Sequence, residues 1–224
     1  MILDSYCIIY ENYFTEAEVM KIHACANQVE EIEGRTGFGI DEDEDPNNIQ
    51  MTLDVRQSSQ KWLQHHIFPK EIQDKITIGI NTASAEGGWN FAWNHIEDHQ
   101  YTIYKHKPDR PTGDFYTWHT DAASPSKFQS PYGIRKLSST IQLSHPEDYE
   151  GGHFRWLEPA HMFDNIRKGS YGVDVDPYIQ TAPFSAKTIG TLIVFPSFVW
   201  HEVTPVSRGV RTSLVSWYHG PTYV

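Results

Sequence analysis

Hydrophobic residues in the first third of the chain recur every three or four positions. Val19, Met20, Ile22, Ala24 and Val29 make such a stripe directly behind Thr15–Glu18, whose Thr-x-x-Glu spacing is a capping box. Ser58 or Ser59 offers a cap for a second helix through Trp62, Leu63 and Ile67. Pro69 opens a third, with Ile72, Ile76 and Ile80 on every fourth position. From about Trp89 the period changes to two or to short apolar runs. Strands are expected at Tyr101–Tyr104, Leu137–Ser144, His153–Leu157 and Thr191–Phe195, the last ended by Pro196. A turn is expected at Tyr149–Gly152. His201–Val206 and Val210–Tyr218, separated by Ser207–Gly209, read as a hairpin. Short strands behind a helical start predict a β-sandwich or jelly roll carrying an N-terminal helical layer.

Composition narrows this little. With 224 residues and 39% hydrophobic residues, the chain is long and apolar enough for one globular domain with a sizeable core. Its formal charge of -11 argues against non-specific binding to nucleic acid or to an anionic membrane. Cys7 and Cys25 show no metal-binding spacing and are expected as buried thiols of a reducing compartment. The start lacks a basic n-region, so no signal peptide is expected, and no apolar run reaches a membrane span. Asp41, Asp43 and Asp45 have calcium-loop spacing, but Pro46 and Thr52 occupy the positions where that loop needs glycine and glutamate.

The chemistry concentrates in two stretches. His119 and Asp121 are two apart, so on a strand they share one face. With His201 they supply two imidazoles and one carboxylate, a set that holds Fe(II) and leaves positions for co-substrate, O2 and water. A lone His-x-Asp is weak evidence in a chain with 12 histidines. Arg211 strengthens it. A hairpin after His201 would bring the next strand alongside, with Arg211, Ser213, Val215 and Trp217 on one face. Guanidinium is the preferred bidentate partner of a carboxylate. A ferrous ion and Arg211 would then balance Asp121 and a dicarboxylic co-substrate, so a dry cavity could hold the set without a stranded charge.

At these residues the chain resembles the Fe(II)- and 2-oxoglutarate-dependent oxygenases of the prolyl-4-hydroxylase-like branch, in particular the bacterial and phage PKHD-type hydroxylases. Tyr104, Gly113, Tyr116, His119 and Asp121 match the approach to the first metal motif, with Tyr104 and Gly113 farther apart than usual. Leu137–Ser144 and Tyr149–Gly152 match the central strand and double-glycine turn. Phe195, Pro196, Ser197, His201, Val203, Pro205, Val206, Gly209, Arg211 and Ser213 match the distal motif. The resemblance implies a double-stranded β-helix over residues 89–224, supported by a helical segment over 1–88, in a single oxygenase domain spanning 1–224. It implies His119, Asp121 and His201 as metal ligands and Arg211 on the C5 carboxylate of 2-oxoglutarate. Ser213 and Tyr104 are secondary contacts. Gln142 stands where relatives often place a tyrosine that assists the arginine, and its amide is expected to donate one hydrogen bond to the same carboxylate.

The implied cofactors are Fe(II), 2-oxoglutarate and O2, with ascorbate as an accessory. The implied activity is hydroxylation of an amino-acid side chain, a prolyl residue of a peptide or protein. The expected location is the cytoplasm, or the host cytoplasm if the chain is viral; the oligomeric state is not legible. Tyr116, Trp118, Phe128 and Tyr132 either line a peptide groove or belong to the core, and Ala122–Arg135 reads as a loop beside the metal. Three alternatives stay open on the residues: a non-redox cupin-like isomerase or lyase, a non-catalytic binding protein on the same scaffold, and a zinc hydrolase.

Overall fold

Thr15 starts the first helix as its spacing predicts. In the computed structural model, which describes residues 5–34, 55–110, 112–122, 133–158 and 176–221, Glu18 N donates to Thr15 Oγ1 and Thr15 N donates to Glu18 Oε2. This capping box opens α1 (Glu16–Ala26), which buries Val19, Ile22, Cys25 and Ala26. Met20 and Ala24 point outward instead. Pro69 is the N-cap of α2 (Lys70–Glu86), where its fixed φ costs nothing and its missing N–H is not needed. Ile72, Ile76 and Ile80 are fully buried, each contributing about 1.5–3 kcal/mol of apolar transfer.

The expected helix between these two does not form. Arg56–Gln57 and Ser59–Leu63 are strands β3 and β4, following β1 (Ile8–Tyr10) and β2 (Ile32–Glu33). Strand β4 pairs residue for residue with β6 (His99–Lys105), from Ser59↔Ile103 to Leu63↔His99. Tertiary pairing with β6 overrides the weak local cap. Residues 1–88 are therefore not a purely helical support: they contribute strands to both sheets.

The remaining strands are β5 (His95–Ile96), β7 (Phe115–His119), β8 (Ile134–Gln142), β9 (Tyr149–Gly151), β10 (Phe154–Leu157), β11 (Ile179–Thr181), β12 (Leu192–Pro196), β13 (His201–Val203) and β14 (Val206–Gly220). The larger sheet runs β1-β12-β8-β14-β6-β4-β2, with β5 and β9 also paired to β14; the smaller runs β11-β10-β13-β7-β3. Alternation sorts the larger sheet's two faces. Tyr101, Ile103, Leu137, Ile141, Leu192, Leu214 and Tyr218 pack with α1 and α2 into one core. Arg211, Ser213, Val215 and Trp217 face the other way, into a cavity between the sheets.

The predicted hairpin after His201 is absent. Strand β13 pairs with β7 and β10, whereas β14 pairs with β5, β6, β8 and β9. The chain crosses between sheets at Thr204 and Pro205, where Thr204 N donates to His153 O and Val206 N to Asp114 O. Among the described residues no helix is long and apolar enough to cross a membrane. Both cysteines are free; Cys25 is buried and Cys7 only partly so. The acidic 41–45 loop and most of the 122–135 segment, with Phe128 and Tyr132, lie outside the described residues.

Burial sets how this fold responds to acid. His99 is fully enclosed, and burial pushes its pKa down to about 3; burial does the same to His119, also to about 3. Unfolding returns both imidazoles to water, where they protonate below their ordinary 6.5. The unfolded chain then binds more protons than the folded one, so stability falls as pH drops from 6.5 toward 3. Each imidazole contributes a slope of up to about 1.4 kcal/mol per pH unit. Urea midpoints of the metal-free protein at pH 7 and pH 5 check this; equal midpoints would contradict it.

Candidate metal centre and anion pocket

His119 ends β7 and His201 begins β13, and the two are direct cross-strand partners. Asp121 lies just past β7. Its N–H and that of Ala122 both donate to Ser197 O at 2.8 Å, which ties the residue to the end of β12. Asp121 Oδ1 is 3.8 Å from His119 Nε2 and Oδ2 is 3.7 Å from His201 Nε2. Those separations are too long for hydrogen bonds. They suit donors sharing one ion, since metal bonds of about 2.1 Å put ligand atoms roughly 3–4 Å apart. Among the described residues this is the one cluster of metal-ligand type, with its ligand atoms within 4.8 Å of one another.

Both histidines are oriented alike. His119 Nδ1 lies 2.7 Å from Thr117 O, and His201 Nδ1 lies 2.9 Å from Val199 O. A carbonyl can only accept, so each Nδ1 carries the proton and each Nε2 presents a bare lone pair. Burial and neighbouring His201 keep His119 neutral. Burial alone would raise the Asp121 carboxyl. The groups around it, His201, His119, Arg135 and Ser138, more than offset this and hold it below the usual carboxylate range. The donor set therefore fits Fe(II) without proton rearrangement. Tyr116 stacks on the His119 ring at 3.4 Å, and Phe195 packs against His201 at 4.5 Å, so the centre has dry walls.

Arg211 faces this centre from the opposite sheet, across a cavity of about 190 Å³. Its side chain is 3% exposed, lies 5.5 Å from the Tyr104 ring and reaches Ser213 Oγ at 3.4 Å. Among the described residues it forms no ion pair. A buried guanidinium without a carboxylate is costly, which marks the pocket as a place for an anion. Gly152 makes room for the arginine stem: its φ is +58°, and a Cβ there would come within 2.7 Å of Arg211 Cδ.

Of the expected residues, His119, Asp121, His201, Arg211, Ser213 and Tyr104 line this one cavity. Gln142 does not line it; its amide instead donates to Tyr149 Oη at 3.0 Å. Sequence reasoning missed Arg56, Trp62 and Arg135, which also line the cavity. Arg56 stands 4.7 Å over the Tyr116 ring, and Arg135 pairs with Glu97 at 2.5 Å while covering Trp217 at 3.9 Å. Trp62 comes from the segment expected as helix, and Arg56 from the short strand just before it. The run from Arg56 to Leu63 carries no apolar alternation that would have marked these strands.

The fold and site define an iron- and 2-oxoglutarate-type oxygenase scaffold, and sequence comparison agrees. Residues 99–219 match the family model of the 2OG-Fe(II) oxygenase superfamily, and the chain belongs to that family. Within it, the chain is 33% identical over 107 residues to a PKHD-type hydroxylase of Shewanella baltica. That alignment covers 47% of this chain and 38% of the relative, so well under half of the relative's length is matched. The whole fold superposes on a prolyl-4-hydroxylase of Pseudomonas putida with TM-score 0.60 at 17% identity, covering 98% of this chain and 95% of the other. It also superposes on a prolyl hydroxylase of Trichoplax adhaerens solved with a hypoxia inducible factor peptide fragment, with TM-score 0.64 at 14% identity, covering 96% and 84%. These neighbours share the double-stranded β-helix.

Proposed function

We propose that the protein is an Fe(II)- and 2-oxoglutarate-dependent dioxygenase that hydroxylates an amino-acid side chain, a prolyl residue of a peptide or protein. The observation that carries this is the facing of two walls: two neutral imidazoles and a carboxylate on one, an unpaired buried guanidinium on the other. A cupin-like isomerase or a zinc hydrolase has no need of the second wall. Bound together in the cavity, Fe(II), 2-oxoglutarate and O2 supply the oxidation of a substrate C–H bond, with succinate and carbon dioxide as by-products.

The residues supply placement. His119 and His201, each fixed through Nδ1, and Asp121 hold the metal. Arg211, with Ser213 beside it, takes the far carboxylate of the co-substrate and so sets the direction from which it reaches the metal. Tyr116, Phe154 and Phe195 exclude water around the centre. Trp62 and Trp217, ring centroids 6.0 Å apart, make part of the cavity wall apolar, as a pyrrolidine ring would require. The prolyl assignment is supported by the names of the Pseudomonas putida and Trichoplax neighbours and by the peptide that the latter holds.

Purified protein given Fe(II), 2-oxoglutarate, ascorbate and O2 is expected to form succinate faster with proline-containing peptides. Those peptides should gain one oxygen atom by mass spectrometry, and their Pro→Ala counterparts should not. Oxygen incorporated equally into the alanine peptides would remove the prolyl assignment. Absence of succinate under every condition would remove the dioxygenase reading.

A further inference from the structure

Arg211 is held by more than its own strand. Gln142 on β8 is the register partner of Ser213 on β14, and Tyr149 on β9 is the partner of Gly209. The three strands thus bring Gln142 and Tyr149 beside Arg211, and neither lines the cavity that Arg211 faces. Tyr149 is 2% exposed, and its hydroxyl accepts from Gln142 Nε2 at 3.0 Å. Burial raises the Tyr149 pKa, and the neighbouring Arg211 guanidinium opposes that rise. A phenol oxygen has two lone pairs, so it can accept from both donors together. Lys187 Nζ lies 4.3 Å over the same ring while donating to Gly151 O, which holds the ring from its face. Gly152 lies against both groups, since a Cβ there would come within 2.7 Å of Arg211 Cδ and 3.3 Å of Tyr149 Cε2.

We infer that Gln142 and Tyr149 act in series as positioning residues for Arg211, the amide fixing the phenol and the phenol fixing the guanidinium that receives the distal carboxylate. This rests on the co-substrate reading above and deepens it. It also accounts for the amide at position 142, where a direct carboxylate contact was expected: the phenol is supplied from β9, and residue 142 supports it. A guanidinium free to turn about its stem would lose orientation on each binding event. One pinned at an edge presents its remaining N–H groups in a fixed fork.

The test is calorimetric titration of the Mn(II)-loaded protein with 2-oxoglutarate and with 2-oxopentanoate, which lacks the distal carboxylate. Tyr149→Phe is expected to weaken 2-oxoglutarate binding roughly tenfold, the range for a lost hydrogen bond to a charged group. Mn(II) affinity and 2-oxopentanoate binding should not change. Gln142→Leu should weaken 2-oxoglutarate binding by a smaller factor, and the double variant should be no weaker than Tyr149→Phe alone, because the two act in series. If Tyr149→Phe does not fold, Gln142→Leu carries the test by the same comparison of the two ligands. Wild-type 2-oxoglutarate affinity in the folded variants overturns the inference, as does equal weakening of both ligands, which would mean general packing. Arg211→Ala run alongside separates the two levels: if it too binds 2-oxoglutarate normally, the co-substrate reading itself fails.

Discussion

Replacing His201 by alanine is expected to lower Fe(II) or Mn(II) affinity by more than about 100-fold, since losing an outer partner of a ligand alone costs about 10–100-fold. His201 is one of two nitrogen donors, and its Nε2 lone pair is aimed by the Val199 carbonyl. No other histidine, cysteine or acidic side chain among the described residues joins the cluster to take its place. The side chain packs against Phe195 and Phe154, so circular dichroism must show the variant folded. Metal affinity equal to wild type in a folded variant would take His201 out of the centre.

Arg211→Ala is expected to act on the other wall. Removing one partner of a buried charge pair costs about 2–5 kcal/mol, so the 2-oxoglutarate requirement should rise roughly 30-fold or more. Metal affinity should change far less, because Arg211 is not among the cluster's donors. Arg211→Lys should recover only part of the loss, since an ammonium keeps the charge but not the fork. Parallel titrations of metal and 2-oxoglutarate decide between outcomes. Equal loss of both would mean that Arg211 holds the fold of the cavity and has no dedicated ligand.

These two residues also show what a sequence makes legible. The identities of His119, Asp121, His201 and Arg211 were readable because their chemistry is specific and their neighbours fit a known pattern. Their arrangement was not. Arg211 was placed near His201 by a hairpin that does not exist; it arrives on a different sheet, after the crossing at Thr204 and Pro205. The conclusion survived because strand alternation within β14 is local and was read correctly, whereas strand pairing is long-range and leaves no local mark.

The same limit hid Arg56 and Trp62. A serine before an apolar run signals a cap only if the run goes on to become a helix. Here β6 lay waiting as a partner some forty residues downstream. Gln142 was placed on the correct strand, yet what it touches is Tyr149, seven residues on, beyond the single-turn helix at Pro146–Asp148. Capping, by contrast, is wholly local, and the Thr15–Glu18 box formed as read.

The most direct measurement is a crystal structure of the protein grown with Mn(II) and 2-oxoglutarate, with the metal located by its anomalous scattering. A single ion bonded to His119 Nε2, Asp121 and His201 Nε2, with the distal carboxylate of the ligand on Arg211, is the expected result. An ion bound elsewhere, or a carboxylate that leaves Arg211 unpaired, would contradict the account.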